Sequence, residues 1–192
     1  VGPVIAIIPC LDEEAAIGPV VAAVRAHVDE VIVVDGGSRD RTAERAAAAG
    51  ARVVTEPRRG YGRAVQAGIR ALPDGCTVVL FLDGDGSDPA ERIPDVLAPI
   101  RAGRVDFVHG SRLRGARERG SLAAPQLVAG WLGGALLRLG YGVRFTDLSP
   151  FRAITRSALD RLGMREETYG WNLEMLMRVA AARYRSCSEG DT

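Results

Sequence analysis

The sequence predicts a single α/β domain built on a mostly parallel sheet, and two patterns support this fold class. Apolar runs of strand length, rich in Val and Ile, recur at residues 4–8, 31–34, 52–55, 78–82 and 106–109. Ala-rich helical segments lie between them, at residues 15–27, 40–49, 62–72 and 89–102. Strands that alternate with helices at this spacing form a parallel sheet with helices on both faces.

The predicted topology brings the carboxyl ends of these strands to one edge of the sheet, because crossover connections are right-handed. Ligands of open α/β sheets bind at that edge. After residue 119 the pattern changes to a Gly-rich helix at 126–139, an extended segment at 151–154 and a last helix at 170–183. We expect one domain over residues 1–185, followed by a polar, disordered tail at 186–192.

The composition excludes several classes of function. The chain has 192 residues, 47% of them hydrophobic, with 25 Lys and Arg against 24 Asp and Glu. A net charge of +1 recruits neither nucleic acid nor an anionic membrane through a global field. Cys10, Cys76 and Cys187 match no metal-binding spacing, which favours a reducing, cytoplasmic compartment.

Membrane attachment receives little support from the residues themselves. The chain as given opens directly in a strand-like segment, so we expect no signal peptide. The uncharged stretch 127–137 is too short to span a bilayer. With Trp131 it is a candidate for peripheral contact with a membrane surface or a lipid tail, and core packing is the alternative.

Acidic residues follow three of the predicted strands. They are Asp12-Glu13-Glu14 after the first, Asp35 after the second and Asp83-Gly84-Asp85 after the fourth. Asp and Gly also form ordinary turns, so one acidic loop alone indicates little. Three acidic strand ends at one edge predict a shared divalent-cation site, with Asp85 and Asp83 as candidate ligands.

Two further segments are candidates for binding phosphate. Gly60-Tyr61-Gly62 opens a helix, but the third glycine of a dinucleotide fingerprint would fall at Val65 and the chain has no lysine, so both common phosphate loops are excluded. A helix start with free N–H groups for phosphate or sugar oxygens remains, beside a plain tight turn. Arg112 lies in an arginine-rich loop after a strand, where a phosphate clamp and a solvated loop are both open.

In order along the chain, these motifs resemble a family 2 glycosyltransferase of the GT-A fold, near the polyprenyl-phosphate (dolichyl-phosphate-mannose-synthase-like) branch. The resemblance covers about residues 4–182 and rests on six segments: residues 9–14, 34–42, 60–62, 83–85, 110–112 and 147–152. It implies the Rossmann-like three-layer α/β/α architecture of nucleotide-diphospho-sugar transferases.

The resemblance also implies roles for individual residues. The donor, a UDP- or GDP-hexose, would be bound by Pro9, Leu11, Glu13, Asp35, Gly62, Asp83, Gly84 and Asp85. Asp85 would bind Mg²⁺ or Mn²⁺ against the diphosphate, helped by Ser87 or Asp88, with Asp83 beside the ribose or the sugar. The phosphate of the acceptor would be held by Arg112, Ser149 and Arg152.

Two features depart from the family pattern. Gly36 follows Asp35 where many members carry a second acid, which weakens the prediction for nucleoside recognition. After the last helix we expect no further strand with basic residues, because residues 186–192 are polar and patternless. An altered or truncated carboxyl terminus would remove contacts to the donor phosphates.

The predicted reaction is hexose transfer with inversion, and the acceptor decides which residues are catalytic. A lipid phosphate is already ionised, so it needs cations such as Arg112 and no general base. An alcohol acceptor needs a carboxylate base, for which Asp147 and Glu174 are the candidates. The arginines favour polyprenyl phosphate as the acceptor, at the inner face of the membrane.

Several alternatives stay open at this point. The first is a transferase that acts on a soluble alcohol of the phosphoglycerate type. The second is a non-catalytic domain that binds sugar nucleotides. The third is a nucleotidyltransferase, although that class commonly carries a glycine-rich basic loop where Asp12-Glu13-Glu14 stands here. A homodimer is also open.

Overall fold

A computed structural model describes residues 2–110 and 149–188. The strands are β1 (Val4–Cys10), β2 (Glu30–Asp35), β3 (Arg52–Thr55), β4 (Val78–Phe81), β5 (Phe107–His109), β6 (Arg152–Thr155) and β7 (Ser186–Ser188). The α-helices are α1 (Ile17–Arg25), α2 (Thr42–Ala48), α3 (Tyr61–Arg70), α4 (Ile93–Arg101), α5 (Arg156–Leu162) and α6 (Trp171–Ala181), and a 3₁₀ turn at Ala90–Arg92 precedes α4.

The strands form one sheet in the order β3-β2-β1-β4-β6-β5-β7. β1 pairs in parallel with β2 and β4, and β2 pairs in parallel with β3. β6 runs antiparallel to both β4 and β5. The predicted GT-A-like fold class, with a mostly parallel central sheet, is confirmed.

Alternate residues of each strand face opposite sides of the sheet, and helices cover both sides. On one side, Ala6 and Ile8 pack in a buried cluster with α1 and α4. On the other, Ile5 and Ile7 pack with α3, α5 and α6. β1 is buried along its whole length, because it lies between two strands and two helical layers.

Helix α5 is an element that the sequence analysis did not predict. It follows β6 directly, and its start is capped by Thr155, whose Oγ1 accepts the N–H of Ala158 at 3.3 Å. It ends at Gly163, which has a left-handed φ of 60°. A Thr before the helix and a Gly after it are the usual boundary signals, so residues 155–163 carried the information.

The tail expected to be disordered contains a strand. β7 pairs in parallel with β5, with Ser186 opposite Phe107, and Cys187 packs against the core. The expectation of disorder is therefore wrong for residues 186–188, and so is the expectation that no strand follows the last helix. Pairing at a sheet edge uses main-chain groups, so polar side chains do not prevent it.

Within residues 2–110 and 149–188, no helix combines the length and the apolar character needed to cross a membrane.

Candidate active site

The carboxyl ends of β2, β1 and β4 lie side by side, because these strands are neighbours in the sheet. Cys10 at the end of β1 is level with Asp35 at the end of β2. Ile7 of β1 is level with Phe81 of β4, two residues before Asp83. The topology therefore brings the three acidic segments that follow these strands to one edge, as the sequence predicted.

Hydrogen bonds join the loop after β1 to the loop after β2, and we call this set the two-loop latch (residues 12–14 with 38–42). The N–H of Asp12 donates to Ser38 Oγ at 2.9 Å, and Asp12 Oδ1 accepts the N–H of Arg39 at 2.7 Å. The N–H of Glu13 donates to Thr42 Oγ1 at 2.7 Å. The latch holds two acidic loops in a defined relative position.

Two further bonds extend the latch. The N–H of Glu14 donates to Asp40 Oδ2 at 3.1 Å, and the N–H of Arg41 donates to Glu14 Oε2 at 3.0 Å. Bonds from the Thr42 hydroxyl and from main-chain N–H groups lower the pKa of Asp40. The role of Ser38, Asp40 and Thr42 in joining the two loops was not predicted, although Ser, Asp and Thr side chains commonly bond to nearby main-chain groups.

Asp35 is the last residue of β2 and is buried at the sheet edge. It is 6% exposed, and its carboxylate oxygens accept the N–H of Ser38 at 3.2 and 3.3 Å. Gly36 donates its N–H to the carbonyl of Cys10, and a Cβ at this position would lie 3.3 Å from that oxygen. A larger residue would strain this contact, so main-chain packing accounts for the glycine.

Leu11 and Pro9 differ in accessibility although both are predicted donor contacts. Pro9 is buried, whereas Leu11 is 46% exposed beside Gly36. An exposed apolar side chain at the ligand-binding edge is suited to cover the face of a flat group.

The Asp83–Asp88 turn is shaped by its own carboxylates. Asp88 is buried, and its Oδ2 accepts the N–H of Asp83 at 2.9 Å, while Asp85 Oδ1 accepts the N–H of Ser87 at 2.9 Å. A Cβ on Gly84 would lie 2.9 Å from Cys10 Cβ, so the turn sits tightly on the end of β1. Asp83 is half-buried and Asp85 is exposed. Asp88 thus orders the turn that presents Asp85.

Several carboxylates crowd this part of the edge. Burial and the charges of Asp85, Asp40 and Asp12 raise the pKa of Glu13. Mutual repulsion of this kind is relieved when a cation binds among the acids. The individual acids were predicted from the sequence, and their charges act on one another once the loops are folded together.

The residues present fit Mg²⁺ or Mn²⁺ shared with a substrate. Among the described residues, no group of three or more His, Cys, Asp or Glu side chains forms a cage for a metal ion. Mg²⁺ is commonly held by one or two carboxylates together with substrate phosphates. Asp85, with Asp83 two residues away, supplies oxygen ligands of this type at the exposed edge.

The start of α3 does not offer the free N–H groups that we expected. The N–H of Gly62 donates to the carbonyl of Thr168 at 3.1 Å, and that of Arg63 donates to the carbonyl of Glu167 at 3.0 Å. A Cβ on Gly62 would lie 2.4 Å from the carbonyl oxygen of Glu166. The prediction of a phosphate-binding helix start is therefore wrong at these two positions, and Gly62 instead makes room for the 165–170 loop.

Glu174 anchors that loop. Its Oε2 accepts the N–H of Arg165 at 3.0 Å and of Glu166 at 2.7 Å, and its Oε1 accepts Nε of Arg178 at 2.8 Å. Burial favours a higher pKa for Glu174, but these N–H groups and the Arg178 guanidinium lower it overall. A general base needs an available lone pair and a raised pKa, and the surroundings of Glu174 work against both.

Arg152 is fully buried at the start of β6. Its Nε donates to the carbonyl of Pro150 at 3.2 Å, one terminal nitrogen donates to the carbonyl of Asn172 at 3.1 Å, and the other donates to the carbonyl of Ser149. Ser149 is also buried, and its Oγ accepts the N–H of Phe151 at 3.2 Å. These bonds connect the start of β6 to the start of α6, so Arg152 as placed orders main chain and presents no surface to a phosphate.

The remaining predicted site residues, Arg112 and Asp147, lie outside the described residues, as do Trp131 and the apolar stretch 127–137.

Two curated relatives share most of their length with this chain. An uncharacterized glycosyltransferase of Mycobacterium tuberculosis (strain ATCC 25618 / H37Rv) is 38% identical over 181 residues, which cover 93% of this chain and 79% of the relative. A dolichyl-phosphate hexose transferase of Haloferax volcanii is 38% identical over 180 residues, covering 90% of this chain and 75% of the relative.

Among solved structures, glucosyl-3-phosphoglycerate synthase of Mycobacterium tuberculosis in complex with phosphoglyceric acid superposes with a TM-score of 0.78 and 28% identity, covering 97% of this chain and 69% of the synthase. The same synthase has been crystallised with Mn²⁺, uridine diphosphate and phosphoglyceric acid. The family model for Glycosyl transferase family 2 matches residues 5–163. The chain therefore belongs to glycosyl transferase family 2 and is a glycosyltransferase.

Proposed function

We propose that this protein transfers a hexose, with inversion, from a UDP- or GDP-hexose to a phosphate-bearing acceptor, with polyprenyl phosphate as the favoured acceptor. The observation that carries this proposal is the exposed Asp85, held in an ordered turn beside Glu13 at the end of a buried parallel strand. A metal-bound diphosphate is the ligand that such an edge suits.

In this mechanism, Asp85 and Asp83 hold Mg²⁺ or Mn²⁺, which when bound neutralises charge on the departing diphosphate. The crystallised synthase with Mn²⁺ and uridine diphosphate supports this assignment. Leu11 and Asp35 contact the nucleoside, and the two-loop latch fixes the relative position of the loops that carry them. The residues that bind the donor are therefore already positioned in the free protein.

Arg152 and Glu174 are bonded within the protein, so we no longer assign them to the acceptor. We assign Arg152 to ordering the segment from Ser149 to β6, because its guanidinium is buried against carbonyl groups. Glu174 orders the 165–170 loop and takes no part in proton transfer. Arg112 stays our proposed phosphate ligand, and Asp147 stays our candidate base for an alcohol acceptor.

Polyprenyl phosphate is favoured because a 38% identical relative is a dolichyl-phosphate hexose transferase. An ionised phosphate acceptor needs no general base, in keeping with the state of Glu174. Such an acceptor would also require peripheral contact with a membrane, and we propose the cytoplasmic face. A phosphoglycerate-type acceptor is the second candidate, since glucosyl-3-phosphoglycerate synthase superposes over nearly the whole chain.

The donor site is tested by thermal unfolding with UDP, GDP and their hexose conjugates, each with and without Mn²⁺. We expect one nucleotide set to raise the melting temperature by about 5 to 10 °C with Mn²⁺ at about a hundred times Kd. Asp85→Asn should abolish the Mn²⁺-dependent part of that rise. Asp74→Asn, in the exposed turn before β4 and thus at the opposite edge, is the matched control and should bind normally.

Stabilisation by Mn²⁺ and nucleotide that persists in Asp85→Asn would contradict the metal assignment. The acceptor is then tested with the donor that binds, by offering polyprenyl phosphate in detergent and 3-phosphoglycerate in parallel. Hexose transfer to the lipid and not to the soluble acid is the expected result. The reverse outcome would replace the favoured acceptor with the second candidate.

A further inference from the structure

Three buried polar atoms near the start of α6 have no hydrogen-bond partner in the described part of the chain. They are Tyr61 Oη, Trp171 Nε1 and Asn172 Oδ1. Folded proteins pair nearly all of their buried polar atoms, and each exception calls for a physical explanation. Three exceptions in neighbouring side chains suggest that the missing partner is a ligand.

The three side chains are brought together by β4, β6 and α6. Phe81 of β4 is level with Arg152 of β6, and the Trp171 ring packs edge-on against Phe81 with 5.1 Å between centroids. Arg152 donates to the carbonyl of Asn172. Tyr61 packs against the buried cluster that contains Phe81 and Trp171.

This cluster adjoins the first acid of the Asp83–Asp85 pair. The N–H groups of Gly62 and Trp171 both donate to the carbonyl of Thr168, at 3.1 and 3.3 Å, so Tyr61 lies next to the start of α6. The Trp171 ring packs against Phe81, which precedes Asp83 by two residues. In keeping with this placement, burial and then the charge of Asp83 raise the pKa of Tyr61. Asn172 lies beside the same hydroxyl, although Tyr61 Oη and Asn172 Oδ1 do not meet hydrogen-bond geometry. Tyr61, Asp83 and Asn172 are each half-buried, so the cluster reaches the ligand-binding edge.

The chemistry of the three atoms matches a ligand with several hydroxyl groups. The Trp171 indole N–H donates, the Asn172 amide oxygen accepts, and the Tyr61 hydroxyl does either. A hydroxyl also both donates and accepts. Trp171 is fully buried, so the ring that can lie against the C–H face of a pyranose is that of the half-buried Tyr61.

We propose that Tyr61 and Asn172, with the buried Trp171 beside them, form a hydroxyl-binding subsite for the hexose of the donor, next to Asp83. This inference rests on the proposed function, since a diphosphate held at Asp85 would place its attached hexose on this side of the turn. The subsite distinguishes a nucleotide sugar from the corresponding nucleoside diphosphate.

The test is calorimetric titration with Mn²⁺ of UDP-glucose against UDP, or of GDP-mannose against GDP if the guanosine pair is the one that stabilises the wild type. Tyr61→Phe should weaken binding of the sugar nucleotide about five- to tenfold and leave the nucleoside diphosphate within about twofold. Asn172→Leu should show the same selective loss. Tyr169→Phe is the matched control, because Tyr169 is 88% exposed, and it should change neither affinity.

A second measurement distinguishes a loss of ligand binding from a folding defect. The melting temperature of ligand-free Tyr61→Phe should equal or exceed that of the wild type, because the substitution removes an unpaired buried hydroxyl. A clear fall would show an internal partner and overturn the proposal. Equal weakening of both ligands by Tyr61→Phe, or no weakening of either, would overturn it as well. Absence of any nucleotide binding by the wild type would instead reject the proposed function.

Discussion

Charged side chains are used in opposite ways in two regions of the ligand-binding edge. At the ends of β1, β2 and β4, Asp85 is exposed and the pKa of Glu13 is raised by burial and by its acidic neighbours. At the starts of β6 and α6, Arg152 is fully buried against carbonyl groups, and the pKa of Glu174 is lowered by N–H groups and Arg178. In the first region acidic side chains lie close to one another, whereas in the second the charged groups are hydrogen-bonded within the protein.

The difference shows that residue type does not identify a catalytic group without its surroundings. Asp85 and Glu174 are both carboxylates near predicted binding positions. Glu174 accepts hydrogen bonds from two main-chain N–H groups and a guanidinium, whereas the exposed Asp85 accepts the N–H of Ser87 in its own turn. Three experiments test this contrast.

The largest expected effect is on stability when Arg152 is replaced. Arg152→Met removes the donors to the carbonyls of Pro150 and Asn172 and leaves buried acceptors unpaired. We expect the free energy of unfolding to fall by about 3 kcal/mol, measured by urea denaturation. Arg41→Gln, which breaks the exposed ion pair with Glu44, is the control and should lose far less stability, because exposed ion pairs contribute little. A loss of the same small size in Arg152→Met would mean that the guanidinium is not structural.

Glu174→Gln separates an anchoring role from a catalytic one. A Gln keeps the shape but loses the charge-assisted bonds to Glu166, Arg165 and Arg178, so we expect a loss of about 1 to 2 kcal/mol in unfolding free energy. Turnover per folded molecule should stay within about threefold, whereas loss of a general base costs about 100-fold or more. A large fall in turnover at unchanged stability would restore Glu174 as a base.

The smallest effects are pH-dependent and have opposite signs at Glu13 and Glu56. The pKa of Glu13 in the folded protein is raised above 4.5, so ionising this side chain lowers the free energy of unfolding as pH rises above 4.5. Glu13→Gln should therefore be more stable than the wild type above pH 4.5. Hydrogen bonds from Arg58 lower the pKa of Glu56 to about 2. Its contribution is present above pH 4.5 and is lost as pH falls towards 2, so Glu56→Gln should lose stability at neutral pH.

Melting temperatures of both variants, recorded from pH 2 to 8 with a chelator present, check these signs. If the melting temperature of Glu13→Gln changes with pH in parallel with that of the wild type, the charge of Asp85 does not repel that of Glu13. Adding Mn²⁺ and nucleotide should then reverse the advantage of Glu13→Gln over the wild type, because the cation stabilises the ionised carboxylate.

Much of the acidic region at the ends of β1, β2 and β4 was predictable because its signals are local. Asp83, Gly84 and Asp85 follow a buried strand directly, and parallel strands bring their carboxyl ends together by rule. The latch was harder to predict, since it joins Asp12 to Ser38 and Glu13 to Thr42 across 26 and 29 residues. Sequence spacing does not show which N–H group a turn residue will meet.

The region around the starts of α3, β6 and α6 was predicted less well because its decisive contacts come from distant segments. The N–H of Gly62 is taken by the carbonyl of Thr168, and the guanidinium of Arg152 is taken by main chain on both sides of α5. A glycine at a helix start and an arginine after Ser149 are equally compatible with ligand binding when read alone. β7 escaped prediction for a related reason, since its pairing depends on the edge of β5 and not on its side chains.

The layered α/β architecture and the acidic edge follow from the order of residues alone, because the period of apolar residues sets the elements and the ends of the strands set where the acids lie. Which of the charged and polar groups are already bonded within the protein depends on how the chain packs. Hydrogen bonds act over about 3 Å, so the state of each group depends on atoms that folding brings from elsewhere in the chain.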